Sequence, residues 1–174
     1  METLRQQLSD LISNKLWDSA ELVGTFALSA TGPGALSTPD RAETLILLAD
    51  ALAGSKHYRR ALSHYRHALQ LCRMNKEPVA SLDEGSVKFK MAECYVALRE
   101  LRSALGELET ITARGRPLHT TMLLARLYRE MGYTRAAVAS YKEALRICPY
   151  AAEAAVALAE LGAAYGELEQ LLQG

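Results

Sequence analysis

Between Leu118 and Ala151 the chain reads as a helix, a tight turn and a second helix, with apolar residues at helical spacing on both sides of the turn. Leu124, Ala125 and Tyr128 fall at helical intervals, Gly132 interrupts the run, Ala137, Tyr141, Ala144 and Leu145 resume it, and Pro149 closes it. Ala125 and Ala137 are small because two helices must approach closely there, and Tyr128 and Tyr141 fill the space beside the contact. Gly132 offers a backbone position free of Cβ strain at the turn. Pro149 is expected to end the second helix and to open the next in its first turn, where a missing N–H costs nothing.

Three weaker copies of the pattern lie upstream. Taking Ala137 as the key alanine of the second (B) helix, the equivalent sets are Ala104, Leu108 and Ile111, then Ala61, Tyr65 and Ala68, then Ala20, Gly24 and Ala27. The small residue of the first (A) helix recurs as Ala125, Ala92 and Ala49, with Leu8 in its place at the start. The key alanines are 41, 43 and 33 residues apart, against a period of about 34 for the tetratricopeptide repeat, which this pattern resembles. The surplus of the two long intervals falls around residues 31–38, rich in Gly, Pro, Ser and Thr, and around 75–84. Longer surface loops cost little closure entropy. The expected fold is all-α: one tetratricopeptide-repeat solenoid over 1–174, with repeats about 1–34, 42–75, 85–117 and 118–151 and a partial fifth over 152–174.

At 174 residues, 49% hydrophobic and 23% charged, the chain is an ordinary soluble domain able to bury a continuous core. Pro33, Pro39, Pro78, Pro117 and Pro149 all sit at expected loops or helix starts, as an all-helical chain requires. No segment has the length or apolarity of a membrane span or signal peptide. The expected location is therefore intracellular. Cys72, Cys94 and Cys148 are odd in number and show no CxxC spacing, which suits reduced, packed thiols.

Catalytic, metal and cofactor signals are all missing from the pattern. His64 and His67 are one helical turn apart but lie between Arg60 and Arg66 on a solvated basic face, without a carboxylate or thiol at ligand spacing. Gly32, Pro33 and Gly34 are followed by no Lys-Ser or Lys-Thr, so no phosphate loop is expected. Glu107 and Glu109, two apart on a helix, point in different directions. Formal charge is zero, and the candidate stripe Arg59, Arg60, Arg66 and Arg73 reads as a solvated helix face rather than a nucleic-acid surface. No enzyme, cofactor, nucleic acid or membrane partner is expected.

Stacked helix pairs offer a concave surface lined by the A helices, where such repeats hold a peptide or helix. The fifth and ninth places of successive repeats are Ile46 and Asp50, Phe89 and Glu93, and Met122 and Arg126. They suggest a groove with an apolar floor and a charged rim. Asp50 and Glu93 are expected to repel a terminal carboxylate, unlike the Lys and Asn of chaperone-tail-binding repeats.

Two segments narrow the resemblance. EGSVKFKMAECYVALRE, from Glu84 to Glu100, and LLARLYREMGYTRAAVASYKEALRICPYAAEA, from Leu123 to Ala154, resemble the N-terminal region of the anaphase-promoting complex (cyclosome) subunit 7 family. LISNKLWDSAEL and AETLILLADAL resemble its plant and algal forms. The distinctive residues are Lys88, Lys90, Met91, Ala92, Glu93, Cys94 and Tyr95, then Tyr141, Lys142, Glu143, Leu145, Arg146, Cys148 and Pro149. That resemblance implies a non-catalytic scaffold in a ubiquitin ligase of mitosis and cell division, nuclear and cytoplasmic. It also implies a homodimer formed through N-terminal repeats, contacts to other subunits of the complex, and further repeats beyond this chain. The alternative is a monomeric peptide-binding adaptor or co-chaperone. The last segment, Tyr165 to Leu172 with Leu168, Leu171 and Leu172 near one face, is expected to cap the stack or to continue into further repeats.

Overall fold

The computed structural model describes residues 2–75 and 82–162, and every regular element among them is a helix. Two compact units, 1–100 and 101–174, divide the chain, each with its own apolar core.

The first unit holds α1 (Glu2–Ser13), α2 (Trp17–Ser29), α3 (Thr38–Gly54), α4 (Tyr58–Met74) and α5 (Glu84–Ala97), with one 3₁₀ turn at Gly32–Gly34. Leu8, Ala20 and Ala51 are fully buried where α1, α2 and α3 meet, and Leu4, Leu11, Trp17, Val23 and Leu47 close over them. A Cβ added at Gly24 would meet the Cβ of Leu48 at 3.5 Å, an ordinary van der Waals contact. Ala49, Ala61 and Ala92 are likewise shut off from solvent, so each helix meets its neighbour at a residue that lets the backbones come close. Ser37 starts α3 by accepting from Asp40 N–H at 3.3 Å, with Pro39 in the first turn, and Asp83 starts α5 by accepting from Gly85 and Ser86 N–H, both at 3.2 Å. Such caps satisfy donors the helix leaves open, at about 1 kcal/mol each.

The second unit holds α6 (Leu101–Glu109), α7 (Leu118–Glu130), α8 (Thr134–Ile147) and α9 (Ala152–Glu160). Its core gathers Met122 and Ala125 of α7, Ala137, Tyr141 and Leu145 of α8, and Ala154 and Leu158 of α9. Two expectations need correction. Ile111 lies beyond the end of α6, where its carbonyl accepts from Arg116 Nη2 at 2.6 Å. Pro149 sits between α8 and α9 rather than in the first turn of α9, because Tyr150 and Ala151 still intervene.

Four turns between paired helices are built alike. The N–H of Lys15, Lys56, Arg99 and Gly132 donates three residues back, and the N–H of the following residue donates five residues back: Leu16 to Leu11, His57 to Leu52, Glu100 to Tyr95 and Tyr133 to Tyr128, at 2.8–2.9 Å. The first residue of each set has positive φ, from 58° to 81°. This closure uses the last carbonyls of each A helix. Pro78 and the segment Tyr165 to Leu172 fall outside the described residues.

Candidate partner-binding faces

In the first unit the A helices α1, α3 and α5 frame a cleft of about 200 Å³. Ile46 and Leu47 of α3, Val87 of α5 and Leu82 form its apolar lining. Two ion pairs cross it from one A helix to the next. Arg5 of α1 reaches Glu43 of α3 at 3.6 Å, and Lys90 of α5 meets both carboxylate oxygens of Asp50 on α3, at 3.0 and 2.8 Å. Tyr65 of α4 donates its hydroxyl to Asp50 at 2.5 Å from below. Burial, and then the Asp50 carboxylate, push the Tyr65 phenol far above its usual range, so it remains a donor.

Asp50 therefore does not present a free negative charge, and the expected repulsion of a terminal carboxylate is corrected at this position. The pairing was missed because its partners stand 40 residues apart; the nearness of that separation to the 43-residue spacing of these two repeats is the one clue the sequence holds. Phe89, half-buried, and Glu93, exposed, lie elsewhere around α5 and do not line this cleft.

A second hollow of about 420 Å³ lies in the second unit between α7 and α9, with Met122, Tyr141, Val156 and Ala157 in its walls. Met122 is 8% exposed, so it is core that shows one edge to the hollow. Ion pairs again join successive A helices: Arg126 to Glu153 at 3.3 Å and Arg129 to Glu160 at 2.6 Å. The six residues expected to form a groove are thus divided. Ile46 and Asp50 belong to one cleft, Met122 and Arg126 to another, and Phe89 and Glu93 to neither.

The arginines of α4 are exposed, as a solvated face requires, and they are also paired. Arg60 reaches back to Glu21 of α2, while Arg59 pairs forward with Glu100 at 2.5 Å, Arg73 with Glu84 at 2.8 Å, and Arg66 lies over the Tyr95 ring and donates to its hydroxyl. Arg60, Arg66 and Arg73 each reach a neighbouring helix, and Arg59 reaches the turn after α5. Arg73 and Lys88 hold the Glu84 carboxyl below its ordinary value by hydrogen bonding to its charged form. The three cysteines are unpaired, and burial pushes the Cys94 thiol up to about 11. Among the described residues no group of His, Cys, Asp or Glu is arranged to hold a metal ion, and no helix is long and apolar enough to cross a membrane.

Residues 120–150, spanning α7, α8 and their turn, match the tetratricopeptide repeat family model. The chain has the tetratricopeptide-repeat fold. Solved structures agree on this: a MamA fragment from Desulfovibrio magneticus RS-1 superposes with a TM-score of 0.72, covering 99% of this chain and 89% of its own at 14% identity. BtubC from P. vanneervenii superposes with a TM-score of 0.71, covering 97% and 75% at 19% identity. The resemblance drawn from Glu84–Glu100 and Leu123–Ala154 is borne out over most of this chain. Anaphase-promoting complex subunit 7 of Arabidopsis thaliana is 37% identical over 93% of this chain and 33% of its own, and that of Homo sapiens is 33% identical over 93% and 32%. The tetratricopeptide chain spans about a third of the length of the relatives it matches.

Proposed function

We propose that this chain is a non-catalytic scaffold segment of an anaphase-promoting complex, and that it self-associates through its N-terminal repeats. Its partners on this reading are a second copy and other subunits of that complex, in the nucleus and cytoplasm. The observation that carries the proposal is the 37% identity to Arabidopsis subunit 7, maintained over 93% of the chain. The A-helix clefts support it. Their apolar linings and ion-paired rims suit the side chains of another polypeptide, with Ile46, Asp50, Met122 and Arg126 at the contact and Phe89 and Glu93 on α5 beside it. A small cavity with most of its charges already paired offers little to a reacting small molecule.

Two measurements test this. Tagged chain added to an extract containing the complex is expected to co-purify with its subunits, and Ile46→Glu should reduce the yield. Recovery of chaperone tails instead, by a monomer, would point to an adaptor. Sedimentation at tens of micromolar is expected to show a dimer that Phe89→Glu weakens. A monomeric wild type at that concentration would defeat the self-association.

A further inference from the structure

The loop between α2 and α3 runs into the sequence Ser37-Thr38-Pro39-Asp40-Arg41. Of the chain's prolines only Pro39 follows a hydroxyl residue; the others follow Gly32, Glu77, Arg116 and Cys148. A threonine, a proline directly after it and an arginine third after it form the pattern that proline-directed protein kinases read. The selection has a physical basis. A kinase pocket that offers no acceptor to the residue after the target leaves an ordinary N–H unpaired, whereas proline has none to lose. The arginine adds a cation for an anionic patch on the enzyme.

The structure makes this threonine accessible. Ser37, Thr38 and Pro39 are all exposed, and the first buried side chain of α3 is Ala42. The opening turn of the helix therefore stands clear of the core. It is tied to Ser37, whose hydroxyl accepts from Asp40 N–H at 3.3 Å and whose carbonyl accepts from Arg41 N–H at 2.8 Å. Proline disfavours a helical conformation in the residue before it, yet Thr38 is the first residue of α3. Drawing Thr38 out into an extended form relieves that conflict and uncovers no apolar core. The Thr38 hydroxyl has no hydrogen-bond partner among the described residues.

We propose that Thr38 is a phosphorylation site for a proline-directed kinase, and that its phosphate tightens the start of α3. In the transfer Thr38 Oγ1 attacks the γ-phosphorus of ATP. The new O–P bond forms as the bond from that phosphorus to the bridging oxygen breaks, ADP departs, and the hydroxyl proton passes to a carboxylate of the kinase. The ester brings a charge of about −1.5 to −2 to a helix N-terminus, the end that favours anions. Arg41, three residues on, shares its side of the helix and makes no ion pair among the described residues, so its guanidinium is free to close on the phosphate. Asp40, two residues on, faces another way, and its carboxylate accepts from the Ser37 hydroxyl at 2.5 Å. The inference does not rest on the scaffold reading.

The experiment incubates the full chain with a purified cyclin-dependent kinase and ATP, and peptide mapping by mass spectrometry locates the product. A single phosphate on Thr38 is expected, lost in Thr38→Ala and Pro39→Ala and retained in Thr38→Ser. Arg41→Gln should slow the transfer several-fold. Circular dichroism of the unmodified variants should match wild type, since all these positions lie outside the core. At low salt the phosphorylated chain should melt higher than the unmodified one, by a margin that high salt reduces. No transfer to the folded wild type, or transfer undiminished in Pro39→Ala, would overturn the site. So would phosphate placed instead on Ser37, whose third following residue is the acidic Asp40. A phosphorylated chain that melts no higher than the unmodified one would overturn the effect on α3.

Discussion

Trp17 covers Gly54 so closely that a Cβ added to the glycine would stand 2.7 Å from the indole ring. Gly→Ala in a helix ordinarily gains up to about 1 kcal/mol. Here the methyl group must displace a half-buried ring packed on Leu8, Ala20 and Ala51, and overpacking of that kind costs about 1–3 kcal/mol. Gly54→Ala is expected to lower the melting temperature and to shift the emission of the chain's single tryptophan. A higher melting temperature with unchanged emission would contradict the contact.

Gly132 and Lys56 make a reciprocal pair of tests for the repeated turn. Nothing stands within 4 Å of a Cβ built on Gly132, so Gly132→Ala adds only backbone strain, about 1 kcal/mol. For a chain of this size that lowers the melting temperature by roughly 2–4 °C. Lys56→Gly removes the same strain but frees the unfolded chain, so a small rise is expected. Thermal denaturation of both variants checks the signs, and a marked fall for Lys56→Gly would mean that its side chain supports the fold.

The small residues were legible because they report a local distance. Ala49, Ala92 and Ala125 on A helices, and Ala61, Ala104 and Ala137 on B helices, are all completely buried, as their periodic recurrence requires when two helices cross closely. Charges were much less legible. Asp50, Arg126 and the arginines of α4 occupy positions a helical wheel assigns to solvent or to a partner, yet each reaches an oppositely charged or aromatic residue on another helix or on the turn after α5. Their partners stand 11 to 41 residues away, and only the packed arrangement of helices selects among the candidates. Three of the turns escaped notice for a related reason: glycine announces a left-handed residue, whereas Lys15, Lys56 and Arg99 do not.

Asp50 anchors a network whose removal should be felt on three helices. Asp50→Ala leaves the Tyr65 hydroxyl, buried beneath the cleft, and the Lys90 ammonium without their acceptor. Loss of a hydrogen-bonded acceptor from a buried donor costs about 1–3 kcal/mol. Asp50→Asn should cost less, because its amide oxygen still accepts from Tyr65. Lys90→Met should cost least, since the Lys90 side chain is a third exposed and its charge is screened by solvent. Urea titrations of the three variants are expected to rank in that order, and an Asp50→Ala midpoint equal to wild type would show that the network contributes nothing.

His64 gives the fold a dependence on mild acid. Burial in α4 is the largest influence lowering its pKa, followed by the positive charges of Arg60 and His67, with Glu21 opposing them. In the unfolded chain the imidazole titrates near its ordinary value of about 6.5. As pH falls through that value the unfolded state takes up the proton first, so stability declines until the lower folded-state pKa is passed, and below it His64 adds no further loss. His64→Gln cannot take up this proton. Between pH values of about 7 and 5.5 its melting temperature is expected to fall less steeply than that of wild type. Parallel slopes for the two proteins over that window would place the acid sensitivity in other groups.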